Sequence, residues 1–164
     1  MPITFHHADI KFSLRNRTAL RKFIAEQVNQ LTNQSINLSY IFCSDEYLLN
    51  INRQFLNHDY YTDIITFPLS ADKKHIDAEI YISIERVKEN SSQYAVGGRQ
   101  KAKPANHQSP ITNHQFTSEL HRVMFHGVLH LLGYKDKTKA QKAEMRKMED
   151  TWLKKFEQAQ TKSR

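Results

Sequence analysis

The densest chemistry in this chain lies between residues 119 and 136, which read Glu119-Leu-His-Arg122-Val-Met-Phe-His126-Gly-Val-Leu-His130-Leu-Leu-Gly133-Tyr-Lys-Asp136. On a helix turning about 100° per residue, His126 and His130 stack one turn apart, and Glu119 and Arg122 share their strip within roughly 80°. Leu120, Val123, Met124, Val128 and Leu131 form an adjoining apolar face. Gly133 allows the chain to reverse as the helix ends, which brings Asp136 back toward the imidazoles. Two imidazoles and one carboxylate suit a single Zn2+ with one coordination position left open, as hydrolytic zinc sites require. The alternative is a core helix whose histidines are satisfied by hydrogen bonds. The glycine turn and the third donor favour the metal. Zinc proteases share a similar spacing, but they carry a glutamate base directly after the first histidine, where this chain has Gly127. Peptide hydrolysis therefore lacks its base.

Such a helix needs a sheet to hold it. Ile3 to Phe5 predict a short opening strand, and Thr18 an N-cap before a helix with Leu20, Phe23, Ile24, Val28 and Leu31 at helical spacing. Ile36, Leu38, Tyr40 and Phe42 alternate as a strand does. Ser44 and Asp45 open a second helix carrying Leu48, Ile51 and Phe55. Ile64-Ile65-Thr66-Phe67 predicts a buried strand closed by Pro68, and Ile80, Ile82 and Ile84 another after the turn at Asp72-Lys73-Lys74. A helix over about Ser118–Leu132 carries the histidines. Thr138 and Gln141 then make a capping box for a last helix with the stripe Met145, Met148, Trp152 and Phe156. The expected fold is a single α/β (α+β) domain over residues 1–164, with a mixed sheet of about four strands, about five helices and the metal site on a helix of the C-terminal half.

The charge of +7, from 24 Lys and Arg against 17 Asp and Glu, favours polyanionic partners. From Lys135 onward there are ten basic and five acidic residues, which suits either phosphate contact or a solvated helix face. The lone Cys43 excludes an intramolecular disulfide framework and a thiolate zinc cage, and its apolar setting marks it as a packing residue. The N-terminus has no signal-peptide pattern and no apolar run reaches membrane-spanning length, so the expectation is a cytoplasmic protein without a membrane partner. Residues 97–115 are polar and rich in Gly and Pro, and contain Arg99, Lys101 and Lys103. They predict an inserted flexible loop, either plain surface or basic and RNA-contacting. Gly97-Gly98 lacks a phosphate-loop spacing, so no nucleotide cofactor is expected.

The block His126-Gly-Val-Leu-His130-Leu-Leu-Gly133-Tyr134 resembles the signature of the YbeY family of bacterial rRNA maturation factors. Asp59-Tyr-Tyr-Thr62-Asp63-Ile-Ile-Thr66-Phe67-Pro68 is similar to that family's central motif, and Glu79-Ile-Tyr-Ile-Ser83 to its next strand. The resemblance implies a zinc-dependent endoribonuclease acting on single-stranded RNA. It further implies maturation of the 16S rRNA 3′ end and ribosome quality control, with ribosomal RNA and the small ribosomal subunit as partners. Three departures stand out. Lys135-Asp136 replaces the family's Asp-His, so the third ligand becomes a carboxylate, and Leu56 stands where the family usually has an arginine. The 97–115 segment is extra. A carboxylate ligand partly neutralises the ion and admits harder metals.

On this reading the metal activates water or polarises a phosphoryl oxygen. Arg122 either stabilises phosphate charge or pairs with Glu119, and Arg53, Arg99, Lys101 and Lys103 are the candidate RNA contacts. A 2′-OH nucleophile would leave cyclic phosphates instead. The rival readings are a ribosome-assembly factor with a structural metal and a hydrolase of small phosphate esters.

Overall fold

The structure is a computed structural model describing residues 2–94 and 113–163. Its elements are β1 (Ile3–His7), α1 (Arg17–Thr32), β2 (Ser35–Cys43), α2 (Asp45–Leu56), β3 (Ile64–Ala71), β4 (His75–Ser83), α3 (Ile84–Tyr94), α4 (Asn113–Leu131) and α5 (Lys139–Lys162). The four strands form one sheet in the order β1-β2-β4-β3, parallel except for β3, which runs antiparallel to β4. The expected α/β domain with a four-stranded mixed sheet and five helices is what the described residues form.

Alternation decides which face is dry. Ile36, Leu38, Tyr40 and Phe42 of β2 lie in register with Ile76, Ala78, Ile80 and Ile82 of β4, and all eight are buried. Against this face pack α1, α4 and α5, through residues that include Leu20, Ile24, Met124, Phe125, Val128, Trp152 and Phe156. The Tyr40 hydroxyl, buried in that core, donates to the Met124 carbonyl at 2.9 Å and ties α4 to the middle of the sheet. The odd-numbered side chains point the other way, where Cys43, Leu48 and Ile65 make a smaller cluster with α2. Burial pushes the Cys43 thiol up to about 12, as befits a packing residue.

Several boundaries differ from the expectations. Pro68 does not close β3. The strand continues to Ala71 past a register shift between Pro68 and Ser70, which is tolerated because β3 is an edge strand. Helix α1 begins at Arg17 after Asn16 in the left-handed region, not at a Thr18 cap. Leu31 and Phe55, expected on buried stripes, are exposed. Ile84 opens α3 rather than ending β4, because the Ser83 hydroxyl accepts from the Arg86 N–H at 3.1 Å and caps a helix there. Helix α4 starts at Asn113, so the end of the expected 97–115 loop is already helical. Arg99, Lys101 and Lys103 lie outside the described residues. Among the described residues no helix is long and apolar enough to cross a membrane.

Candidate metal centre

Close approach of α4 to the sheet starts at Gly127. A Cβ there would sit 2.8 Å from Ile80 Cδ1, 2.9 Å from Ile64 Cδ1 and 3.2 Å from Thr66 Oγ1. A glutamate at this position would run into β3 and β4, so the peptidase arrangement fails on space as well as on sequence. With the glycine on the sheet, the neighbouring strip of α4 faces a cavity of about 610 Å³ whose lining includes His126, His130, Asp136, Asp63, Leu56 and Tyr60. Beyond α4, Gly133 adopts φ +96° and Tyr134 N–H donates back to the Leu129 carbonyl at 3.0 Å. This is the glycine reversal that returns Asp136 to the imidazoles.

His126, His130 and Asp136 form a group that could hold a metal ion, with one donor atom from each lying within 4.8 Å of the others. The Nε2 atoms of the two histidines are 2.9 Å apart, and Asp136 Oδ2 is 3.4 Å from each. Donors about 2.0–2.1 Å from one tetrahedral ion stand about 3.3 Å apart. The outer hydrogen bonds assign the protons. His130 Nδ1 faces the Tyr134 carbonyl at 3.0 Å, and a carbonyl only accepts, so this nitrogen donates. His126 Nδ1 faces the Glu149 carboxylate at 2.6 Å and donates likewise. With both Nδ1 atoms donating outward, the two Nε2 atoms and a carboxylate oxygen converge on one point. A shared proton or a cation can sit among them, and the donor set fits a divalent metal.

Glu149 is buried on α5 and was not among the residues singled out by spacing. Its signal was nonetheless present: residues 145, 149, 152 and 156 follow the helical period, and the second of these is a carboxylate on an otherwise apolar stripe. Arg122 holds it in place. The guanidinium donates to Glu149 at 3.1 Å and to Asp150 at 2.8 Å, and lies 3.9 Å from Glu119. Its burial opposes the charge, but Asp150 and Glu149 outweigh that and hold the pKa above the usual arginine value. Of the two roles weighed for Arg122, phosphate contact or pairing with a carboxylate, the structure displays the pairing, with Glu149 and Asp150 nearer than Glu119. Arg53, expected at RNA, donates to Asp59 at 2.5 Å and lies outside the lining of this cavity. Leu56 does line it.

Electrostatics concentrate here too. Burial works against a charged His126, yet the Glu149 hydrogen bond and the carboxylates of Glu149, Asp136 and Asp63 prevail and raise its pKa. Asp63, just before β3, lines this cavity and the adjoining one around Arg122 and Glu149. Burial raises its pKa, with His126 and an Asn90 hydrogen bond opposing.

A family model described as Endoribonuclease YbeY matches residues 3–104 and 101–157. The Endoribonuclease YbeY of Cytophaga hutchinsonii is 43% identical over 151 residues, covering 92% of this chain and 93% of the relative. That of Flavobacterium psychrophilum is 40% identical over 154 residues, covering 94% and 96%. The solution structure of TM1509 from Thermotoga maritima shares the fold, with a TM-score of 0.54 and 20% identity over 99% of this chain and 93% of that one. On the span of the family model and the identity of these relatives, the chain belongs to the Endoribonuclease YbeY family.

Proposed function

We propose that this protein is a zinc-dependent endoribonuclease of the cytoplasm that cleaves single-stranded RNA. Its substrate would be ribosomal RNA on the small ribosomal subunit, in maturation of the 16S rRNA 3′ end and in ribosome quality control. Family membership supports the reaction class. The observation that carries metal dependence is the convergence of two Nε2 atoms and the Asp136 carboxylate, with the outer nitrogens of the imidazoles committed to Glu149 and Tyr134.

A divalent ion held there supplies Lewis acidity, which stabilises negative charge on phosphoryl oxygens and makes an attacking oxygen easier to deprotonate. The chain's own residues do the rest. His126 and His130 are fixed in one tautomer by their Nδ1 partners, and Asp136 offsets part of the cation's charge. Asp63 is the carboxylate on the cavity wall suited to accept the nucleophile's proton, because burial moves its pKa toward neutrality.

The test is cleavage of single-stranded rRNA fragments by purified protein, with and without chelator, and by His126→Ala. Loss of cleavage in both arms is expected, together with zinc by elemental analysis of untagged protein. Undiminished cleavage in either arm sinks metal dependence. Cyclic phosphate at the product ends would identify the 2′-OH, rather than water, as nucleophile.

A further inference from the structure

Apolar side chains are not scattered over this surface. Of the seven large exposed hydrophobics among the described residues, six fall between Tyr47 and Leu69: Tyr47, Phe55, Leu56, Tyr60, Tyr61 and Leu69. A concentration of this kind marks a contact surface. Part of it opens into the metal cavity, whose lining includes Leu56, His58 and Tyr60 together with His126, His130 and Asp136.

The rings of His58 and Tyr60 are stacked, with centroids 5.1 Å apart and planes at 22°. Tyr60 OH lies 2.9 Å from His58 Nδ1, so the hydroxyl and one of the two ring nitrogens are already engaged. What the pair offers a ligand is therefore π surface more than hydrogen bonds. The segment carrying it is anchored. Buried Asn52 donates its side-chain amide to the Tyr60 carbonyl at 2.9 Å, and His58 N–H returns to the Asn52 carbonyl at 3.2 Å. Asn57 takes the left-handed turn, with φ 52°, that makes this return possible. A platform already ordered loses little entropy when something docks on it.

Among the described residues no Lys or Arg lines this cavity, while Asp63 and Asp136 do. Among these lining residues a phosphate would meet only the candidate metal group, and further affinity for the strand can come from its bases. Aromatic stacking is the interaction these residues can supply, and it is open only to a base that is not already stacked within a duplex. We propose that the His58–Tyr60 ring pair, with Leu56 beside it, is a stacking subsite for an unpaired nucleobase next to the phosphate held at His126, His130 and Asp136. This rests on the endoribonuclease reading and adds to it the element that selects single strands.

The probe is a short unpaired oligoribonucleotide carrying one 2-aminopurine, whose fluorescence is quenched when it stacks. Quenching is read with chelator present, and KM and kcat with metal-loaded protein, for the wild type, Tyr60→Ala and Tyr60→Phe. Tyr60→Ala is expected to lose the quenching and to raise KM about tenfold with kcat little changed. The factor should be the same at each salt concentration, because no phosphate contact is removed. Tyr60→Phe, which keeps the ring, retains both signals. Wild-type quenching and KM in Tyr60→Ala would overturn the subsite while leaving the nuclease reading intact, and would hand the apolar patch to a protein partner. A wild type that neither cleaves nor binds the strand overturns the nuclease reading and the subsite with it. Unchanged zinc affinity in Tyr60→Ala shows that the fold survives the substitution.

Discussion

Helix α4 carries histidines into two different media. His121 is buried between the rings of Phe125 and Phe156, with centroids 6.3 and 5.1 Å away, and burial drives its pKa down to about 4. Five residues on, about 140° around the helix, His126 is half-buried, yet its pKa is raised because Glu149, Asp136 and Asp63 surround it. Desolvation acts on both imidazoles. Only one has carboxylates to answer it, and that difference separates a neutral core side chain from a candidate metal ligand.

The comparison breaks most visibly in acid. His121 is neutral when folded and takes a proton near 6.5 when unfolded. A depressed folded pKa means its stability contribution is present above pH 6.5 and lost as pH falls toward 4. A drop from 6.5 to about 4 amounts to about 3 kcal/mol. Denaturant melts across that window should show the wild type losing about that much more stability than His121→Phe. Equal slopes would mean that the polar cavity bordered by His114 and Glu157 already solvates this ring.

The carboxylate side is sharpened by Glu149→Gln. Replacing the outer partner of a metal-bound histidine costs roughly 10- to 100-fold in metal affinity. A competing chromogenic chelator should find zinc binding weakened by that factor, with far-UV circular dichroism unchanged. Affinity equal to wild type would show that His126 is oriented without Glu149.

The smallest effect is expected at the turn. Gly133→Ala meets no atom within 4 Å, but its φ of +96° strains any residue with a Cβ, at about 1 kcal/mol. Thermal melts should register that loss. A larger fall in zinc affinity than in stability would show that the turn's main task is to deliver Asp136.

Much of this was legible along the chain. Alternation in β2, the Ser44 cap, the Thr138–Gln141 capping box and the His-x3-His spacing are local patterns with local causes, and the structure has each of them. The errors cluster where a long-range partner decides. Pro68 reads as a stop until β3 is known to lie at the sheet edge. Ile84 reads as strand until Ser83 caps a helix. Leu31 and Phe55 keep helical period on faces that stay exposed among the described residues.

The residue types, their spacing and the glycine turn belong to the sequence, because backbone geometry within about 20 residues depends on neighbours in the chain. Which imidazole nitrogen carries the proton depends on Glu149, 23 residues away on another helix, and which face of α4 stays dry depends on Phe156, 35 residues from His121. Pairings of that kind exist only once the chain has closed on itself. Local sequence chose the candidate ligands, and tertiary packing decided what each one faces.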